Sequence, residues 1–169
     1  MQLTADEYAE AERVLKASAG LTPPMQFVLA SFALSGADEI AQLHCAPEFL
    51  KASSAWRAIY VLSSGLIATL EMTAELKDWM GRSGPDGVQA PQVATDARLR
   101  VPNEIGSLML IDSWPRLLTG TSLDIAPTWS VIWSDGTAWN LTPAKHADDD
   151  SRIRTNLLVL CLRELLASR

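Results

Sequence analysis

The chain has 169 residues, 48% of them apolar and 20% charged, which suffices for one domain with a sizeable core and excludes a disordered protein. The net charge is −6 and the 14 basic residues are dispersed. That balance excludes an extended nucleic-acid or anionic-membrane surface, both of which need clustered Lys and Arg; it suits solubility or a basic partner.

The N-terminus, Met1 to Glu7, lacks a basic region followed by an apolar core, so no signal peptide is expected. No apolar run is long enough to span a bilayer, and the expected location is cytoplasmic. Cys45 and Cys161 each sit in apolar company and read as buried, reduced thiols, with a disulfide between them left open.

Thr4-x-x-Glu7 is a capping box, with Leu3 and Tyr8 placed as a hydrophobic staple. The helix it opens carries Tyr8, Ala11, Val14 and Leu15 on one stripe and stops near Gly20. Thr22-Pro23-Pro24 reads as the cap of a second helix running to about Gly36, although the run is apolar at strand period as well. Ala37 to His44 is read as a short helix with Asp38 and Glu39 in its first turn, and Pro47 as the start of a further turn through Phe49 and Leu50. The first third is thus expected to be mainly helical.

Residues 56–73 form a hairpin whose register can be argued. With Ser63-Ser64-Gly65 as a three-residue loop and Gly65 left-handed, Leu62 pairs with Leu66, Tyr60 with Ala68, Ala58 with Leu70 and Trp56 with Met72. One face is then wholly apolar. The other pairs Val61 with Ile67, Ile59 with Thr69 and, as opposite charges, Arg57 with Glu71.

Thr73 to Met80 is expected as a short helix closed by Gly81. Residues 81–97 lose periodicity and read as a long, flexible surface loop. Arg98 to Val101 and Gly106 to Ile111 are candidate strands, and Asp112-Ser113-x-Pro115 opens a brief helical turn ending at Gly120.

A second hairpin, 129–142, obeys the same loop logic around Ser134-Asp135-Gly136. Trp133 pairs with Thr137, Val131 with Trp139 and Trp129 with Leu141, gathering Trp129, Val131, Trp133, Trp139 and Leu141 on one face. A two-residue Asp135-Gly136 turn would scatter the tryptophans over both faces, and a one-residue slip destroys the apolar side. Three tryptophans at ~150–250 Å² each need cover from this chain or a partner. The resemblance between the two loops reads either as a short duplication or as two hairpins obeying one turn chemistry.

After a polar connector over 143–150, the last helix carries Leu157-Leu-Val-Leu-Cys-Leu162, apolar all round and therefore expected to be buried on several sides. The tryptophan face is its nearest cover, with Ile153, Leu157, Leu160 and Leu165 as expected contacts. The fold class is α+β in a single domain, 1–169: an N-terminal helical portion, an antiparallel sheet containing both hairpins, and a C-terminal helix packed on that sheet.

No catalytic set emerges. His44 and His146 are the only histidines, and the His146-Ala-Asp148-Asp-Asp150 run fits no calcium loop; no metal site and no cofactor is expected. His44-Cys45 resembles a base beside a nucleophile, but neighbours on a helix point apart. No nucleophile elbow, Walker lysine or glycine fingerprint occurs.

The expected function is a non-catalytic protein-binding module of the adaptor, secretion-chaperone or toxin-neutralising kind. Trp129, Trp133, Trp139, Tyr60, Leu158 and Leu162 are its candidate binding residues, and self-association through the last helix is its simplest form. In that form Leu158→Asp or Leu162→Asp yields a soluble monomer, whereas failure to fold marks the helix as internal. The alternative is a small apolar ligand held between sheet and C-terminal helix, or an enzyme using that pocket.

Overall fold

The computed structural model describes residues 3–36, 38–76, 78–79, 82–84, 87–89, 92–117, 123–142 and 149–168, with backbone alone for 82–84, 87–89, 114–117 and 123–126. Thr4 caps α1 (Ala5–Ala19) reciprocally: Glu7 N–H donates to Thr4 Oγ1 (3.3 Å) and Thr4 N–H to Glu7 Oε2 (2.8 Å). Gly20, at φ 71°, closes the helix by donating its N–H to the Lys16 carbonyl. α2 (Met25–Ser35) starts directly after Pro24 without a side-chain cap, so Thr22 plays no capping part.

A four-stranded antiparallel sheet follows, ordered β1-β2-β3-β6, from β1 (Ile40–Phe49), β2 (Ser53–Leu62), β3 (Ile67–Glu75) and β6 (Ala94–Arg100). Between β3 and β6 lies a small pair, β4 (Arg82–Gly84) with β5 (Gly87–Gln89). A three-stranded sheet, β7-β8-β9, comprises β7 (Ile105–Leu117), β8 (Leu123–Trp133) and β9 (Ala138–Leu141). The C-terminal helix, α3 (Asp149–Ala167), contacts α1, β1, β2 and β7.

Both hairpin registers agree with the sequence reading, from Trp56↔Met72 through Tyr60↔Ala68 in one and Trp129↔Leu141 with Val131↔Trp139 in the other. Leu62 N–H donates to the Leu66 carbonyl and Trp133 N–H to that of Thr137, closing two loops whose glycines, Gly65 (φ 85°) and Gly136 (φ 82°), are both left-handed.

The four-stranded sheet divides two cores. On one face Cys45, Trp56, Ala58, Tyr60, Leu70 and Met72 pack with Leu15, Phe27 and Val28 of the first two helices. On the other, Ile59, Val61 and Ile67 join Ile105, Val131, Trp133 and Leu141 of the second sheet, with Leu158, Val159 and Leu162 of α3.

Four expectations are corrected. The helix and turn expected over 37–50 are replaced by a strand, with Ala37 outside the described residues: Ile40–Phe49 is β1, an edge strand, where Pro47 is tolerated because its missing N–H would face away from β2. The expected helix from Thr73 is also replaced among the described residues, since β3 continues to Glu75 by pairing with Ser53 and Ser54, and Met80 lies outside them. Asp112 starts no helical turn: β7 runs on to Leu117, and Pro115 again falls on an edge strand. Residues 81–97 contain β4, β5 and the start of β6, which gains its ladder from β3 despite weak periodicity. Gly81, Gly120, His146 and Asp148 lie outside the described residues.

Candidate functional site

The helix α3 sets the geometry of the candidate surface. Its inward stripe is Ser151, Thr155, Leu158, Val159 and Leu162, all buried. Leu158 and Leu162 are each 0% exposed, so these two candidate binding residues contribute to the chain's own core. The stripe on another side, Ile153, Leu157 and Leu160, is 54%, 44% and 51% exposed. Of the contacts expected for the tryptophan face, Leu165 packs as anticipated and Leu160 shares an open groove with Trp129, whereas Ile153 and Leu157 are turned to the surface.

The rotation of α3 follows from polar anchors. Ser151 Oγ donates to the Ser18 carbonyl of α1, and Thr155 Oγ1 donates to the Ser151 carbonyl (3.0 Å). With that proton committed, His44 Nδ1 is the donor to Thr155 Oγ1 (2.9 Å). Ser18 Oγ accepts the outward N–H of Cys45 (2.9 Å), which protects the open edge of β1. Burial holds His44 below its ordinary 6.5, at about 4, so the imidazole is neutral at neutral pH.

His44 and Cys45 alternate across the strand and face different layers, toward α3 and toward α1 with α2 respectively. Burial pushes the Cys45 thiol far up, away from the reactive thiolate. Cys45 and Cys161 are both free and pack with different cores. Among the described residues no group of His, Cys, Asp or Glu is arranged to hold a metal, and no helix is long and apolar enough to cross a membrane.

Trp129, Trp133 and Trp139 come together on the face turned to α3: Trp133 is buried, and the other two are half-buried. Tyr60 is buried in the other core, with its hydroxyl accepting from Ser31 Oγ (3.0 Å). The six candidates therefore do not form one site. Where Trp129 overhangs the end of α3, an open groove of about 630 Å³ is lined by Leu108, Trp129, Leu160, Arg163, Glu164, Leu166 and Ala167. Leu110, paired with Trp129 across the ladder, is also exposed. The outward stripe of α3 thus leads into an aromatic-edged groove.

Sequence reasoning missed Arg100. Its side chain is 6% exposed, its guanidinium lies 4.5 Å over the Trp133 ring, and two of its nitrogens donate to Asp135 Oδ2 (3.0 Å each). It fastens β6 to the second hairpin loop, and Ser134 N–H donating to the Glu104 carbonyl (2.7 Å) adds a further tie. Hydrogen bonds from the Thr137 hydroxyl and backbone, then from Arg100, hold the Asp135 carboxyl at about 2. Arg100 and Asp135 are 35 positions apart, and no local pattern links them. Trp139 Nε1 is buried with no hydrogen-bond partner among the described residues.

Comparison with protein-family models, with curated proteins and with solved structures finds no match for this chain.

Proposed function

We propose that this protein is a non-catalytic binding module that acts through the outward stripe of α3, and that the occupant of this stripe is a second copy of the chain. The observation that carries the reading is the exposure of Ile153, Leu157 and Leu160 at spacing i, i+4, i+7 on a helix otherwise anchored in the core. Such a stripe is self-complementary across a two-fold axis. In an antiparallel pairing Ile153 sets against Leu160 of the partner subunit, so apolar side chains meet along the whole stripe. The groove beside Trp129 extends the apolar area at the rim.

Sedimentation equilibrium tests this. The wild-type chain is expected at twice its 18.4 kDa mass, and Leu157→Glu at the monomer mass with an unchanged circular dichroism spectrum and a melting transition that no longer depends on concentration. A wild-type chain that stays monomeric at its highest soluble concentration overturns the self-association.

The groove supports a second reading, a small apolar ligand beside Trp129. Its volume of about 630 Å³ lies in the range of small-molecule sites. Native mass spectrometry separates the two readings: an added mass equal to the chain favours the dimer, and one of hundreds of daltons favours the ligand.

A further inference from the structure

On the opposite side of the four-stranded sheet, α1, the end of α2 and the start of β1 enclose an open groove of about 860 Å³. Its floor is apolar: Ala11, Val14 and Leu15 from α1, Phe32 from α2 and Ile40 from β1. Its rim carries Asp6, Glu7 and Glu10 on one side and Asp38 and Glu39 on the other, with no Lys or Arg among the lining residues. Asp6 and Glu7 favour their own helix start and Glu10 shares their side of α1 by helix periodicity, but Asp38 and Glu39 join them through tertiary structure alone.

The α2 C-terminus contributes a further attraction for cations. Ser35 and Gly36 line the groove, and the last turn of α2 has no basic residue to balance the negative end of its macrodipole. Glu10 is engaged by Arg13 and Asp38 by the Ser64 N–H, while Asp6 and Glu39 have no side-chain partner among the described residues. An apolar floor under a rim of one sign matches a ligand with apolar anchors and flanking positive charges.

We infer that this groove receives a Lys- or Arg-bearing amphipathic helical segment of a partner protein, independently of the α3 stripe. The apolar side chains of that segment cover Phe32 and Val14, and its cations meet the rim carboxylates.

The test uses fluorescence anisotropy with a labelled amphipathic Lys/Leu peptide and its Glu/Leu counterpart. The Lys/Leu peptide is expected to bind the full chain, to weaken as salt screens the rim, and to lose roughly tenfold in affinity with Asp6→Asn/Glu39→Gln. Both substituted residues are at the surface, so the variant keeps the fold. Leu157→Glu is expected to bind like the wild type, which separates this groove from the α3 reading. Equal binding of both peptides, no loss in the double variant, loss in Leu157→Glu, or equally tight binding of spermine alone overturns the inference.

Discussion

The two hairpins close with the same loop and meet different fates. Ser63-Ser64-Gly65 and Ser134-Asp135-Gly136 both place glycine at a left-handed φ, 85° and 82°, and both set the strand pairing by one residue's precision of register. The first hairpin lies inside its sheet, between α1 with α2 on one face and the second core on the other. The second is covered on its tryptophan face, while Ala138 and Asn140 on the reverse face remain exposed. Loop chemistry therefore determines pairing, and neighbours determine how much each pair stabilises.

The largest expected effect that sharpens this contrast is core truncation. Tyr60→Ala removes a completely buried ring and leaves Ser31 Oγ without its acceptor, at a cost of about 3–5 kcal/mol. Trp139→Ala, in the half-covered hairpin, costs about 1–2 kcal/mol in the same urea titration. Equal losses would break the distinction.

Protonation provides the next test, because each sheet has its own titrating group. In the folded chain His44 resists protonation down to about 4, whereas the unfolded chain takes up that proton below 6.5. The unfolded state thus binds more protons in this window, and stability falls as pH drops from about 6.5 to about 4, by on the order of 3 kcal/mol. Urea midpoints across that range should decline in the wild type and flatten in His44→Gln. Asp135, held at about 2 against an ordinary 3.8, contributes above pH 3.8 and loses its contribution as pH falls toward 2. Asp135→Asn should flatten only this lower window, tying it to the second hairpin.

The smallest effect addresses what the hairpins share. Gly65→Ala and Gly136→Ala meet no atom within 4 Å of the added Cβ, so the left-handed backbone alone sets a cost of roughly 1–2 kcal/mol at each. Similar drops in melting temperature at the two sites support one loop chemistry; a much larger loss at Gly136 would show that the Arg100–Asp135 tie depends on the loop.

The legible parts of the chain were those whose signals are local. The Thr4–Glu7 box and Gly20 bounded α1 because caps satisfy backbone groups within one turn. Side-chain alternation fixed both hairpin registers because a slip of one residue would invert the apolar face. The strand β1 was illegible because Asp38, Glu39 and Pro47 imitate helix-start signals, and its ladder comes from β2 rather than from its own pattern. Of the six candidate binding residues, the tryptophans were correctly grouped on one face, but Tyr60 belongs to the other core.

The C-terminal helix marks the boundary between what the two levels decide. By itself the sequence determined that residues near 150 to 167 form a helix, that the Trp129–Leu141 face needs cover, and that the helix supplies it. Which side of the helix turns inward was decided only by tertiary structure. Hydrophobicity favours Ile153, Leu157 and Leu160, yet the buried stripe includes Ser151 and Thr155. Their hydroxyls are satisfied by Ser18, 133 positions from Ser151, and by His44, 111 positions from Thr155. A buried polar group is tolerated once it is hydrogen-bonded, and partners that distant exist only in the assembled fold.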